Sequence, residues 1–326
     1  MRKIIFLANL LTLSFCQIQA QKVQPLITGG FPINITEAPW QALLRIGVDR
    51  DNCGGAIIAP NFILTAKHCV QPFVNSPSAV RVIVGTTCRS QFQGQNVFNV
   101  SRIILHPDPN VDAALLQLSR DITFNNSIRP INYWDAINNS FYDVGNQVRV
   151  SGWGLTIPGV VTQPDCLQAV DVNIISNQDA TNMLAAFGYR ALRAHEMATT
   201  GTGDIREGAC HNDSGGPLVI RTATNEPVVI GIVAWGRRDC PGDNTNSPTV
   251  YVRVSHVLDW INENICFDSI TNQDITSDRI ITACDSSMDI GNITVTDGAT
   301  LTIDAPGGVI ITGPILLGEG SGITLE

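Results

Sequence analysis

Residues 210–217 read Cys210-His211-Asn212-Asp213-Ser214-Gly215-Gly216-Pro217 and place one serine between an aspartate and two glycines. Glycine reaches backbone conformations that cost other residues energy, so this run is typical of a tight turn. A serine hydroxyl is a poor nucleophile at neutral pH unless an imidazole accepts its proton. The run therefore predicts a nucleophilic serine if the chain also supplies a histidine and a carboxylate.

Two distant stretches supply these partners. Residues 64–69 read Leu-Thr-Ala-Lys-His-Cys around His68, and residues 112–116 read Asp-Ala-Ala-Leu-Leu from Asp112 onwards. In a triad the carboxylate fixes the tautomer of the imidazole and stabilises its positive charge. The alternatives are a core histidine at 68 and a strand-start cap at 112. The order His, Asp, Ser is that of chymotrypsin-type proteases, not of subtilisins or α/β-hydrolases.

Further motifs follow in the order of that family. They are Ile27-Thr28-Gly29-Gly30, Cys53-Gly54-Gly55, Ser151-Gly152-Trp153-Gly154, Ala234-Trp235-Gly236 and Pro248-Thr249-Val250-Tyr251. With them, residues 27–265 resemble the trypsin/chymotrypsin family of serine proteases. The resemblance implies an all-β fold, a chymotrypsin-type double β-barrel with a C-terminal helix, and a secreted serine endopeptidase acting through an acyl-enzyme.

The resemblance also assigns roles to residues around His68, Asp112 and Ser214. The backbone amides of Asn212 and Ser214 would form the oxyanion hole. Asp213 would form an ion pair with the α-amino group of Ile27 once a propeptide is removed. The primary specificity pocket would consist of Gly208, Ala209, Ala234, Trp235, Gly236 and Thr249.

Three departures from the family bear on this expectation. Asn212 replaces a glycine of the oxyanion hole, Ala234 replaces a serine that supports the triad aspartate, and Lys67 replaces a small residue beside the histidine. The alternative function is therefore a catalytically impaired homologue that acts as a binding module.

The expected pocket is uncharged and of intermediate depth. Gly208 stands where trypsin-like enzymes carry an aspartate, so cleavage after Arg or Lys is not expected. Thr249 stands where chymotrypsin-like enzymes usually carry glycine, and its side chain makes the pocket shallower. We expect cleavage of protein or peptide substrates after small to medium apolar residues, namely Leu, Val, Ala or Met.

The N-terminus has the features of a secretory signal peptide over residues 1–20. Arg2 and Lys3 precede an apolar run, residues 4–15, and Ala20 is a small residue at the cleavage site. Lipid attachment at Cys16 is the alternative.

Residues 21–26 form a short expected propeptide. Because the propeptide ends at Leu26, it must be removed by an enzyme that prefers an apolar residue before the cut. We hypothesise that the protein activates itself by cleavage after Leu26.

Eight cysteines remain after the signal peptide, and an even number in an exported chain predicts disulfides. The resemblance implies the pairs Cys53–Cys69 and Cys210–Cys240. It also implies that the loops carrying Cys88 and Cys166 lie close together, so we expect Cys88–Cys166, and Cys266–Cys284 for the remaining two. Cys-x-x-Cys pairs are absent, and residues 86–96 contain no Asp or Glu, so neither a metal site nor a cofactor is expected.

Short β-type runs separated by Gly, Pro and Asn predict a sandwich or barrel between residues 27 and 265. The expected strands cover 41–46, 56–63, 81–84, 97–104, 147–153, 167–175, 217–220, 228–235 and 249–254. Helices are expected over 179–196 and over 255–264, the second with Ser255 as its N-cap.

Residues 266–326 differ in composition and form a separate β-rich C-terminal extension. Apolar and polar residues alternate in 293–296 and 301–304, which predicts a small β module of stacked short rungs. A partly ordered tail is the alternative. By analogy with β-rich C-terminal segments of exported bacterial proteins, this extension is expected to serve sorting or cell-surface attachment. A surface adhesin that carries a protease is a third functional alternative.

The formal net charge of −9 argues against a nucleic-acid partner, because phosphate binding requires a surplus of Lys and Arg. After the N-terminal segment, the sequence contains no apolar run long enough to predict a transmembrane helix.

Overall fold

The computed structural model describes residues 29–47, 50–155, 163–202, 207–238, 240, 247–265, 269–275, 279–283, 287–296, 298–305 and 308–326. The predicted signal peptide and propeptide, Ile27, Cys266 and Cys284 lie outside these residues. In the described parts of the chain, no helix is long and apolar enough to span a membrane.

Six antiparallel strands close a first barrel in the order β2-β3-β4-β7-β6-β5. After the short strand β1 (Phe31–Pro32), they are β2 (Gln41–Ile46), β3 (Arg50–Ala59), β4 (Phe62–Thr65), β5 (Val80–Val84), β6 (Val97–Leu105) and β7 (Ala114–Leu118). Leu43, Ile57 and Leu115 are fully buried inside it. Each such side chain stabilises the fold by roughly 1.5–3 kcal/mol through burial of apolar surface.

A second six-stranded barrel follows. Its strands are β8 (Gln147–Gly152), β9 (Gln168–Ile175), β10 (Glu196–Gly201), β11 (Pro217–Arg221), β12 (Pro227–Gly236) and β13 (Thr249–Arg253). They run in the order β9-β10-β13-β12-β11-β8, the pairing of β8 with β9 closes the ring, and β1 extends β9. This is the chymotrypsin-type double barrel that the resemblance implies.

The expected single strand over 56–63 is wrong. β3 ends at Ala59 and β4 begins at Phe62, because Pro60 and Asn61 form a turn that reverses the chain.

The helices are α1 (Lys67–Val70), α2 (Asn177–Ala185) and α3 (Val254–Asn264). Short 3-10 helices cover Ile35–Glu37, Gln71–Phe73, Pro77–Ala79, Arg89–Gln91, Gly94–Asn96, Trp134–Ile137 and Asn139–Tyr142.

The helix expected over 255–264 is confirmed as α3 to within one residue, but its expected N-cap and the helix expected over 179–196 require correction. The helix expected over 179–196 ends at Ala185, because the chain turns at Gly188, whose φ is 78°, and Glu196 begins β10. Ser255 is not an N-cap: α3 begins at Val254, and the backbone N–H of Ser255 donates a hydrogen bond to the Tyr142 hydroxyl at 3.2 Å.

The C-terminal module consists of parallel strands stacked in two sheets. They are β14 (Ser269–Ile275), β15 (Arg279–Thr282), β16 (Ser287–Val295), β17 (Thr300–Asp304), β18 (Gly308–Ile311), β19 (Ile315–Leu317) and β20 (Gly322–Leu325). β16 pairs with β14, β18 and β19, whereas β17 pairs with β15 and β20. Ile290, Ile293 and Leu301 belong to a separate apolar core. Trp134 packs against this core, and the guanidinium of Arg279 lies 5.5 Å from the centre of the Trp134 ring.

Candidate active site

The first barrel positions His68. β4 ends at Thr65, and α1 follows at once with His68 as its second residue. A disulfide between Cys53 and Cys69, with a Cα–Cα distance of 6.3 Å, fixes this short helix to β3. The His68 side chain remains 47% exposed, so its ring is open to a reactant.

Asp112 contacts His68 with both carboxylate oxygens. Oδ1 accepts a hydrogen bond from the His68 backbone N–H at 2.8 Å, and Oδ2 lies 2.7 Å from His68 Nδ1. An ionised carboxylate accepts only, so the proton of the neutral ring resides on Nδ1. His68 Nε2 is thereby left as an acceptor, which is the state a general base requires.

The loop that carries Ser214 docks onto the first barrel beside His68. The Gly54 N–H donates a hydrogen bond to the Ser214 carbonyl oxygen at 2.8 Å. The sulfur of Cys69 lies 3.7 Å from that oxygen and 3.7 Å from His68 Nε2. The structure therefore brings the three predicted triad residues together around one disulfide.

Gly215 permits this close docking. Its φ is 81°, and a Cβ at this position would collide with Thr65 Oγ1 and the Gly54 carbonyl oxygen. Only glycine combines that conformation with contact between the two backbones.

Asn212, at the expected oxyanion position, also has a left-handed conformation, with a φ of 74°. Asparagine tolerates this region better than other non-glycine residues. The substitution of glycine by asparagine is therefore compatible with this turn and retains a backbone N–H.

Asp213 is fully buried beneath the turn. Its carboxylate accepts hydrogen bonds from Gly154 N at 2.8 Å and from Cys210 N at 3.0 Å. Burial raises the pKa of Asp213 to about 7, although these hydrogen bonds oppose the increase. Within the described residues, no cationic side chain forms an ion pair with it. The predicted partner, Ile27, lies outside those residues.

The residues expected to form the specificity pocket flank the serine loop. Gly236 on β12 pairs with Thr249 on β13, and the Thr249 side chain is buried. Ala209 and Ala234 are also buried, and Gly208 has a φ of 155°. Residues 203–206, 239 and 241–246 lie outside the described part of the chain.

A charged network supports Trp235 and was not predicted from the sequence. The indole N–H donates a hydrogen bond to Glu196 Oε1 at 2.9 Å, and Arg190 contacts both oxygens of that carboxylate, at 2.7 and 2.5 Å. The Arg190 guanidinium also lies 4.6 Å from the Trp235 ring centre. No local pattern reveals that Glu196 supports Trp235, because the two residues are 39 positions apart.

Three disulfides close in the described residues: Cys53–Cys69, Cys88–Cys166 and Cys210–Cys240. These are three of the four expected pairs. The fourth, Cys266–Cys284, lies outside the residues described.

Comparison with known proteins agrees with this architecture. The Trypsin family model matches residues 27–261. The chain is 36% identical to Hypodermin-A of Hypoderma lineatum over 248 residues, which is 73% of this chain and 87% of that protein. It is 32% identical to Serine protease 28 of Mus musculus over 273 residues, 78% of this chain and 94% of the other. It is 33% identical over 243 residues to Transmembrane protease serine 5 of Homo sapiens, covering 73% of this chain but only 51% of that protein. The chain belongs to the trypsin family of serine proteases.

Proposed function

We propose that the protein is a secreted serine endopeptidase whose triad is His68, Asp112 and Ser214. One observation carries the proposal. The Asp112 carboxylate contacts the His68 backbone nitrogen at 2.8 Å and the ring Nδ1 at 2.7 Å, next to the disulfide whose Cys69 sulfur lies 3.7 Å from the Ser214 carbonyl oxygen. This arrangement orients the imidazole and leaves Nε2 free to accept a proton.

The proposed reaction has two halves. Ser214 Oγ attacks the peptide carbonyl carbon while His68 Nε2 takes the hydroxyl proton. The N–H groups of Asn212 and Ser214 stabilise the negative carbonyl oxygen of the tetrahedral intermediate. His68 then gives the proton to the departing amine, and the C–N bond breaks to leave an acyl-enzyme. A water molecule, deprotonated by His68, releases the acid product and restores Ser214.

We propose cleavage after Leu, Val, Ala or Met. The absence of a side chain at Gly208 leaves the pocket base uncharged, and the buried Thr249 opposite Gly236 limits its depth. A difference of one methylene group in an apolar pocket changes kcat/KM by about 10- to 200-fold.

Replacing Thr249 by glycine is expected to deepen the pocket. The kcat/KM ratio for a peptide with Phe before the cut over one with Leu should rise by about 10-fold or more. Thr249→Val is the matched control, because valine has nearly the shape of threonine and should preserve the wild-type ratio. Cleavage-site profiling of a peptide library measures both ratios. A wild-type preference for Arg or Lys would contradict the proposed specificity.

The alternative function is a binding module with impaired catalysis. Asn212 and Ala234 favour it, because both depart from the residues usual in the family. The left-handed conformation of Asn212 weakens that argument, since the turn is formed without glycine. Covalent labelling of Ser214, described in the Discussion, distinguishes the two functions.

We further propose that the C-terminal module serves sorting or attachment at the cell surface. Its separate core supports an independent role, and Ile310, Ile311, Leu316 and Leu317 expose more than half of their surface. Exposed apolar side chains grouped in this way are typical of interaction surfaces.

A further inference from the structure

Lys67 is a buried lysine next to His68. Only 7% of its surface is exposed, and its ammonium donates a hydrogen bond to the Asp108 backbone carbonyl oxygen at 2.7 Å. Burying an ammonium is costly unless nearby groups compensate for the lost hydration. The site must therefore contain groups that stabilise this charge.

The compensating groups belong to the loop that ends at the triad aspartate. Burial lowers the pKa of Lys67, whereas the carboxylates of Asp112 and then Asp108 act in the opposite direction. The charge of Lys67 is also felt by His106, whose pKa is lowered first by burial and then by this lysine. Lys67 thus interacts electrostatically with Asp112 while its hydrogen bond fixes Asp108, four residues earlier.

The same loop is held from the other barrel. The Asn110 carbonyl oxygen accepts a hydrogen bond from Arg193 Nη1 at 3.2 Å and lies 3.1 Å from His195 Nε2. The His256 ring lies near the His195 ring, tilted by 37°, with 5.2 Å between the ring centres. Lys67 therefore anchors the loop to α1, and Arg193 and His195 anchor it to the second barrel.

We propose that Lys67 is a positioning residue for the triad, holding residues 108–112 against α1 and placing a positive charge behind the Asp112–His68 pair. The inference rests on the proposed function. Both Asp112 hydrogen bonds within the described residues come from His68, so Lys67 acts on Asp112 through space and through the loop backbone. Its positive charge partly offsets the negative potential that the Asp112 carboxylate produces at the His68 ring.

The test is the pH profile of kcat/KM for a peptide substrate. Lys67→Met removes both charge and hydrogen bond, Lys67→Gln retains a donor without charge, and Lys67→Arg retains the charge. In the Met and Gln variants the acidic limb should move to higher pH by roughly half a unit, by Coulomb's law at short range. On that limb kcat/KM should fall by up to about threefold, which is what half a pH unit represents, while the Arg variant should keep the wild-type limb.

The Gln and Arg variants decide the outcome if Lys67→Met does not fold. If the acidic limb of the Lys67→Gln profile coincides with that of the wild type, the inference is overturned. It is also overturned if Lys67→Arg shifts the limb as far as Lys67→Gln does. The wild type is measured first, with Ser214→Ala as a blank. If its hydrolysis does not exceed the blank, the proposed function fails and the inference falls with it. If the wild type is active and the profiles coincide, only the inference fails.

Discussion

Ser214→Ala and His68→Ala should each lower kcat for peptide hydrolysis by about a million-fold, and Asp112→Asn by about ten-thousand-fold, as is usual for such triads. Without the hydroxyl there is no nucleophile, and without the imidazole no group accepts its proton. The asparagine cannot accept the Nδ1 proton as a carboxylate does, so the ring loses its preferred tautomer.

A catalytic triad acts as a unit, so the double variant provides a second test of the assignment. The double variant Ser214→Ala/His68→Ala should be no slower than either single variant, because the remaining partner has no separate catalytic role. His256→Ala is the matched control, since His256 is exposed and lies outside the triad. Steady-state assays on one peptide amide compare all the variants. A triad variant with near-normal kcat would contradict the assignment.

The precursor and the processed protein should differ in how their stability depends on pH. In the precursor Asp213 has no free Ile27 amino group to pair with, and its pKa is raised to about 7 by burial, against 3.8 ordinarily. The folded state then binds the proton more tightly than the unfolded state. Protonation of Asp213 therefore stabilises the folded precursor. Its contribution to the free energy of unfolding, on the order of 4 kcal/mol, is fully present below about pH 4 and is lost as the pH rises through 7. After processing, the new α-amino group of Ile27 is expected to pair with the carboxylate and to remove most of this loss.

Urea unfolding of the precursor and of the processed protein, each at pH 5 and pH 8, measures how the free energy of unfolding of the two forms depends on pH. Both forms carry Ser214→Ala so that neither digests itself, and the processed form is prepared by cleavage with a trace of wild type. The additional Asp213→Asn change should abolish the pH dependence that is specific to the precursor. If the free energy of unfolding falls equally between pH 5 and pH 8 in the precursor and in the processed protein, Ile27 does not pair with Asp213.

The same proteins test self-activation after Leu26. The Ser214→Ala precursor should retain its N-terminal segment alone and begin at Ile27 after a trace of wild type is added. Leu26→Arg should block processing of the wild-type enzyme, while Leu26→Met should preserve it, if the pocket accepts apolar residues as proposed. An inactive protein that begins at Ile27 without help would show that another protease removes the propeptide.

Local sequence signals were sufficient for much of the fold. β2 was predicted with its observed bounds, and β5 within one residue, because apolar runs there end at turn residues. The helix over 179–196 ends early because the chain turns at Gly188. The strand that begins at Glu196 depends on distant partners, because β10 pairs with β9 and β13 and the Glu196 carboxylate accepts a hydrogen bond from Trp235, 39 positions away.

In the candidate site, too, some residues were predictable from local motifs and others only from distant contacts. Ser214, His68 and Asp112 lie in recognisable motifs, and the fold brings them together. Lys67 stood out only as an unusual residue type beside the histidine. Its burial and its hydrogen bond to Asp108, 41 positions away, depend on how the loop before β7 packs on α1. The parallel pairing in the C-terminal module was likewise not predictable, because alternation alone does not define strand direction.

Covalent labelling with a fluorophosphonate probe tests the central claim most directly. Such a probe reacts with a serine whose hydroxyl is activated by a neighbouring base, independently of substrate preference. The processed protein is expected to take up one equivalent of probe, with peptide mapping placing the adduct on Ser214. Ser214→Ala should take up none, and His68→Ala should react at least a thousand-fold more slowly, in keeping with the loss of the triad base. Processed, folded wild-type protein that remains unlabelled would contradict the assignment of this protein as a serine endopeptidase.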